Sequence, residues 1–192
     1  VLEVARELFA TSGLDVTMRQ IARHAQIGPA TLYRRFPTKQ ALILEAMKDE
    51  FRACRAIVRD AAGDPDAWRG FCSVIERITV LNAQNQGFTD AFLSAYPGAI
   101  DFDSHRTQIL HEISRITERA QADGDLRSDF VLDDFILVLL AGRGLTSASA
   151  PVRVVAARRF AALAIEGLRA RDANSTLPEP ARLLPTVVGT AH

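Results

Sequence analysis

Residues 18–42 read MRQIARHAQIGPATLYRRFPTKQAL. Short apolar repeats at helical spacing alternate here with cationic side chains, and one Gly28-Pro29 step cuts the stretch in two. Between Thr17 and Lys48 the cations are Arg19, Arg23, Arg34, Arg35, Lys39 and Lys48, against the single acid Glu45, in a chain whose Lys plus Arg and Asp plus Glu totals are both 23. The rest of the chain is therefore acidic by the same amount. That asymmetry fits a small basic module carried by a larger domain that engages something else.

The local grammar is helical. Leu2, Ala5, Leu8 and Phe9 recur at helical spacing, and Gly13 is the expected left-handed stop of a first helix. Thr17 with Gln20 three residues later is a capping box that opens a second, short helix through Met18, Ile21, Ala22 and Ala25. At the break, Gly28 permits an unusual backbone angle, and Pro29 suits the first position of a third helix while forbidding a continuous one. This helix runs to about Phe36. After Pro37, Thr38 caps a fourth helix expected to continue to about Asp60, with Leu42, Ile43, Ala46 and Met47 on its inner side.

Two short helices joined by a tight turn and braced by a preceding helix form a helix-turn-helix, whose second short helix enters the major groove of double-stranded DNA. Phosphates need cations and hydroxyl or backbone donors, and a helix facing base edges needs small residues for close approach. Gly28, Pro29, Ala30 and Thr31 are small; Tyr33, Arg34, Arg35 and Lys39 can reach outward. Arg19 is a further cation of the same segment. Leu32 and Phe36 fall on the opposite, core-facing side, and Tyr33 has packing there as its alternative.

The stretch LFATSGLDVTMRQIARHAQIGPATLYRRFPTKQALI, residues 8–43, resembles the DNA-binding domain of the TetR family of one-component transcriptional regulators. The pattern comprises Phe9, Gly13, Thr17, Ile21, Ala22, Ala25, Gly28, Thr31, Leu32, Tyr33, Phe36, Lys39 and Leu42, within a match from about Val1 to Met47. The resemblance implies that Thr17 sits near phosphate and that Tyr33 and Lys39 lie on the DNA backbone. It places Gly28 to Thr31, Arg34 and Arg35 at or near base edges. Many members carry His where this chain has Arg35, which can bond guanine bidentately or hold phosphate.

Beyond Gly63 the pattern stays helical, with breaks at GDPD, NQG, YPGAIDFD, ADGDLRSD and TSASAP. No sustained alternation of period two argues for a sheet, so the fold class is all-α. The resemblance implies that the N-terminal three-helix DNA-binding domain is followed by a helical-bundle regulatory and dimerisation domain. The expected divisions are 1–47, 48–171 and an extended or mobile tail, 172–192. The chain begins inside a helix at Val1 rather than at Met, so a preceding segment is expected to be missing.

The resemblance implies that the last two long helices, about Val131 to Leu145 and Val152 to Leu168, form a four-helix bundle with a second copy. FILVLLAGRGL (135–145) supports a homodimer independently, being apolar on too many sides for a monomer's surface helix. Ala141, Gly142, Gly144, Ala156, Ala157, Ala161 and Ala164 would allow close approach; burial in the chain's own core is the rival. The helices between Pro65 and Asp123 are expected to enclose a small-molecule effector. Its candidate lining is Phe71, Ile75, Asn82, Phe92 and Tyr96, with Thr79 also polar, which points to a mostly apolar or aromatic molecule.

An enzyme reading has no phosphate loop, serine elbow or metal-spaced histidine array to stand on, so no catalytic residue, metal or cofactor is assigned. His105 and His111 are six residues apart and so lie on different helical faces; Asp101, Asp103 and Glu112 are nearby, and a metal site there is the weaker alternative. Cys54 and Cys72 form no disulfide framework, and no apolar run reaches the roughly 18 residues that a membrane span needs. A cytoplasmic setting is expected. The alternative function is a ligand-independent or architectural DNA-binding protein.

Overall fold

The computed structural model describes residues 1–85, 100–142, 149–172 and 175–183, giving the backbone but not the side chains of 100–105 and 150. Among these residues it is all-α. Nine helices are α1 (Leu2–Ser12), α2 (Met18–His24), α3 (Pro29–Arg35), α4 (Lys39–Ala46), α5 (Lys48–Ala62), α6 (Ala67–Gln84), α7 (Ile100–Ala122), α8 (Leu132–Gly142) and α9 (Ala150–Leu168). The single β contact among the described residues is an isolated antiparallel bridge between Leu126 and Arg169.

The N-terminal helices fold by local rules. Ala5 and Phe9, one turn apart on α1, are buried, and α1 ends at Gly13, whose φ of 72° a side chain would resist. The capping box at α2 is complete: the Gln20 amide donates to Thr17 Oγ1 at 3.2 Å and the Thr17 amide to Gln20 Oε1 at 2.7 Å. Met18, Ile21 and Ala22 then face the core with Leu32 of α3 and Phe36. The left-handed residue of the turn is Gln26, with φ 56°, and not Gly28. Gly28 is extended, φ −65° and ψ 138°, because it is the N-cap of α3 and precedes a proline, which disfavours the helical region.

The expected long fourth helix is interrupted at Met47, where φ −106° and ψ 15° separate α4 from α5. At that joint the Ala46 carbonyl accepts from Arg6 Nε, forty residues earlier, which gives the last carbonyl of α4 a partner outside the helix. The Thr38 hydroxyl caps α4 by accepting from the Ala41 amide at 3.1 Å.

In the larger bundle α6 is central, packing on α5, α7, α8 and α9. Gly70 lets it cross α5 closely: a Cβ there would stand 2.7 Å from the Ala61 carbonyl oxygen. Arg119 of α7 seals the α5–α6 turn, donating to the carbonyls of Ala62, Asp64 and Pro65 at 3.0–3.3 Å. α7 starts at Ile100, inside the expected YPGAIDFD break. Residues 175–183 form neither helix nor strand and are tied down: Arg127 donates to the Ser175 carbonyl (2.8 Å), and the Leu177 amide donates to Asp129 (3.0 Å).

Candidate nucleic-acid interface

α2 and α3 are amphipathic in opposite senses of chemistry. Their inner sides carry Met18, Ile21, Ala22 and Leu32, all buried, while Thr17, Arg19, Gly28, Pro29, Ala30, Thr31, Tyr33, Arg34 and Arg35 are exposed. Leu32, with Phe36 just beyond α3, anchors the short helix, so α3 presents its small first turn and its terminal arginines together. Tyr33 is 45% exposed and does not take the core position that was its alternative. Arg34 and Arg35 are cations in the last turn of α3, where the helix dipole favours positive charge. The Arg35 guanidinium lies 5.4 Å from the Phe36 ring centroid, a contact that orients it without neutralising it.

No acid interrupts residues 16–44, and among the described residues no ion pair engages Arg19, Arg23, Arg34 or Arg35. The face is thus a set of uncompensated cations, hydroxyls and open backbone on one rigid platform, the chemistry a phosphate backbone and major-groove base edges require. Glycine at position 28 is not demanded by the fold: its φ is ordinary, and a Cβ would meet nothing nearer than Thr31 Oγ1 at 3.8 Å.

Lys39 departs from its expected place. It does not reach outward; its ammonium turns back to the Leu14 carbonyl, half-buried, bridging the α1–α2 turn to the start of α4. The Leu14 carbonyl lies between helices and lacks a ladder partner, which makes it the local acceptor for the lysine. Desolvation there lowers the Lys39 pKa, with Asp15 opposing. His24 is exposed, its Nδ1 2.9 Å from the Gln20 carbonyl.

The expected effector residues separate. Phe71 and Ile75 are fully buried, and the Phe71 ring packs edge-on to Phe130 at 5.4 Å and tilted against Trp68 at 6.0 Å, so it is a core residue. Thr79 is buried and donates its hydroxyl proton to the Ile75 carbonyl at 2.6 Å. Asn82 Oδ1 is buried and has no hydrogen-bond partner among the described residues. Phe92 and Tyr96 lie outside the described residues, as does Gly144. The described cavities are elsewhere: none is lined by Phe71, Ile75 or Asn82.

On the last two helices, Phe135, Ile136 and Leu139 of α8 and Ala157 and Ala161 of α9 are buried within the chain's own core. The expectation that Ala157 and Ala161 serve approach by a second copy is corrected, since helical phase turns both inward. The outer stripe is different: Val152, Val155 and Leu163 are 54%, 68% and 63% exposed, and Leu137 of α8 is 54% exposed. Cys54 and Cys72 are free thiols, each pushed up to about 12 by burial. Among the described residues no helix is long and apolar enough to cross a membrane, and no cluster of ligating side chains could hold a metal ion.

Residues 1–46 match the family model described as bacterial regulatory proteins, tetR family. No curated protein matches the chain. Among solved structures, the TetR transcriptional regulator SCO0520 from Streptomyces coelicolor is similar at 28% identity, over 88% of this chain and 96% of that one, with a TM-score of 0.51. SCO3833, a TetR-family regulator from Streptomyces coelicolor A3, shares 19% identity over 88% and 90% of the two chains at a TM-score of 0.64. The ketosteroid transcriptional regulator KstR2 of Mycobacterium tuberculosis shares 18% over 88% and 93%, at 0.60.

Proposed function

We propose that this chain, whose first 46 residues match the tetR family model, is a DNA-binding transcriptional regulator of that family and a repressor released from a palindromic operator by a small molecule. The observation that carries the reading is the exposed, uncompensated face of α3. In this account Arg34, Arg35 and the open backbone of Gly28 to Thr31 read the major groove. Thr17, Arg19 and Tyr33 hold phosphate, and Lys39 acts mainly by fixing the turn before α2.

Two copies pair through the apolar outer stripe of α8 and α9, whose exposed valines and leucines are otherwise left in water, and pairing sets two α3 helices in successive major grooves. The effector site lies in the regulatory bundle beside α6. Its support is the orphaned Asn82 carbonyl oxygen, since a buried acceptor without a donor is costly unless a ligand or water supplies one. The effector is then mostly apolar, with a hydroxyl or amide donor. A ligand releases the operator only through its different affinity for the DNA-competent and incompetent forms.

The test is binding of Arg35→Ala over a panel of single-base operator variants. Relaxed preference at one base pair per half-site, by roughly 1–3 kcal/mol, is expected if Arg35 reads guanine; equal losses on every variant assign it to phosphate. An unselective wild-type protein would refute the reading.

A further inference from the structure

A groove of about 580 Å³ runs along the joint between the DNA-binding helices and the bundle, lined by Leu44 of α4 and by Lys48, Phe51, Arg52, Arg55, Ala56 and Arg59 of α5. Lys48, Arg52, Arg55 and Arg59 follow each other at three- and four-residue spacings, so all four cations share one helical face. Like charges so placed destabilise a helix, and they are only half offset: Lys48 pairs with Glu45 at 3.4 Å and Arg52 with Asp49 at 3.0 Å. Arg55 and Arg59 are exposed, and among the described residues neither forms an ion pair, although Glu112 of α7 lines a smaller cavity beside them. Beneath them Phe51 is buried, and Leu44 and Ala56 are half-buried, giving the groove an apolar floor.

We propose that this groove binds a small anionic amphiphile, with its phosphate or carboxylate head on Arg55 and Arg59 and its apolar tail on Leu44, Phe51 and Ala56. The volume lies in the range of small-molecule sites, which combine an apolar lining with a few placed polar groups. Two unpaired guanidiniums one turn apart suit a charged oxygen-rich head, which arginine engages through paired donors. A nucleic-acid backbone would match the cations and leave the concave apolar floor without a use. The site also spans Met47, where α4 ends and α5 begins, so an occupant touching both Leu44 and Phe51 sets the angle between them. Binding itself stands independently of the proposed repressor function; its consequence for operator affinity rests on that function.

The test uses the full chain, titrated calorimetrically with dodecyl phosphate below its micellar concentration, with dodecanol and with inorganic phosphate. Saturable binding of one dodecyl phosphate per chain is expected, at least tenfold tighter than either control. Arg55→Gln/Arg59→Gln should weaken it at least tenfold with thermal stability retained, and Ala56→Trp should block it by filling the groove. Equal affinity for dodecanol, undiminished binding in the double variant, or no saturable binding overturns the site and leaves the operator reading untouched. Operator release by dodecyl phosphate from the wild type but not the double variant would support the coupling. Binding without release would overturn the coupling alone. Loss of operator affinity in the double variant with dodecyl phosphate binding unchanged would make the stripe a DNA contact and overturn the proposal.

Discussion

Arg6 of α1 donates through Nε to the carbonyl of Ala46, the last residue of α4. One guanidinium thus fastens the first helix to the joint between the DNA-binding helices and the bundle. Arg6→Met keeps the apolar stem and removes the donor, leaving a helix-end carbonyl without its partner. A loss of about 1–3 kcal/mol is expected from a charged hydrogen bond of this kind, read as a lower urea midpoint with unchanged slope. An unchanged midpoint would mean that the contact contributes nothing in solution.

Gln26 holds φ at 56° in the turn between α2 and α3, a conformation that carries a penalty for any residue with a Cβ. Gln26→Gly removes that strain and should raise stability by up to about 1 kcal/mol, after the entropic cost of glycine. The side chain is exposed, so little packing is lost. Thermal unfolding checks the sign, and a decrease would indicate that the Gln26 side chain supports the turn.

Asp129 accepts two hydrogen bonds from Arg127, Nε to Oδ1 at 2.5 Å and Nη2 to Oδ2 at 2.9 Å. Its second oxygen also accepts from the Leu177 amide. The Arg127 hydrogen bonds, and then the Leu177 amide, hold its carboxyl well below the usual carboxylate range. Because the folded pKa is depressed, this contribution is present above the unfolded value of about 3.9 and is lost as pH falls through the folded pKa. Hydrogen exchange at the Leu177 amide should therefore stay slow to pH well below 4 in the wild type. In Asp129→Asn it should be fast already at neutral pH; equal protection in both would remove Asp129 as the anchor of residues 175–183.

Val155 and Leu163 share the outer stripe of α9, whereas Ala161 is buried on its inner side. Val155→Asp/Leu163→Asp should yield a folded monomer in analytical ultracentrifugation, with operator affinity reduced by the loss of the second half-site. Ala161→Asp should instead destabilise the fold, because it buries an unpaired charge. A dimeric Val155→Asp/Leu163→Asp variant would move the pairing surface elsewhere.

What the sequence disclosed depended on the reach of the interaction. The Thr17–Gln20 box, the Thr38 cap, and the inward Leu32 and Phe36 involve neighbours within one or two turns, and periodicity suffices for them. The break at Met47 and the inward turn of Lys39 involve Arg6 and Leu14, forty and twenty-five residues away, and no local pattern announces either. Gly28 illustrates a residue type read correctly as a turn signal and misplaced by two positions, since proline at 29 forces its predecessor extended and leaves Gln26 to bend. The groove over α5 needed the structure for another reason. The spacing of Lys48, Arg52, Arg55 and Arg59 is visible in the chain, but the apolar floor that distinguishes a site from a solvated face appears only once Leu44 is brought beside Phe51.

In the proposed function, two α3 helices read a two-fold symmetric DNA site. Selection of bound DNA from a random-sequence pool, with the full chain at physiological salt, tests it most directly. Enrichment of one palindromic or near-palindromic site is expected, with half-sites centred about 34–36 Å apart or at a related spacing. That enrichment should be lost in Arg34→Ala/Arg35→Ala while weak, salt-sensitive binding persists. A pool that remains random after repeated rounds, or an enriched site without two-fold symmetry, would contradict it.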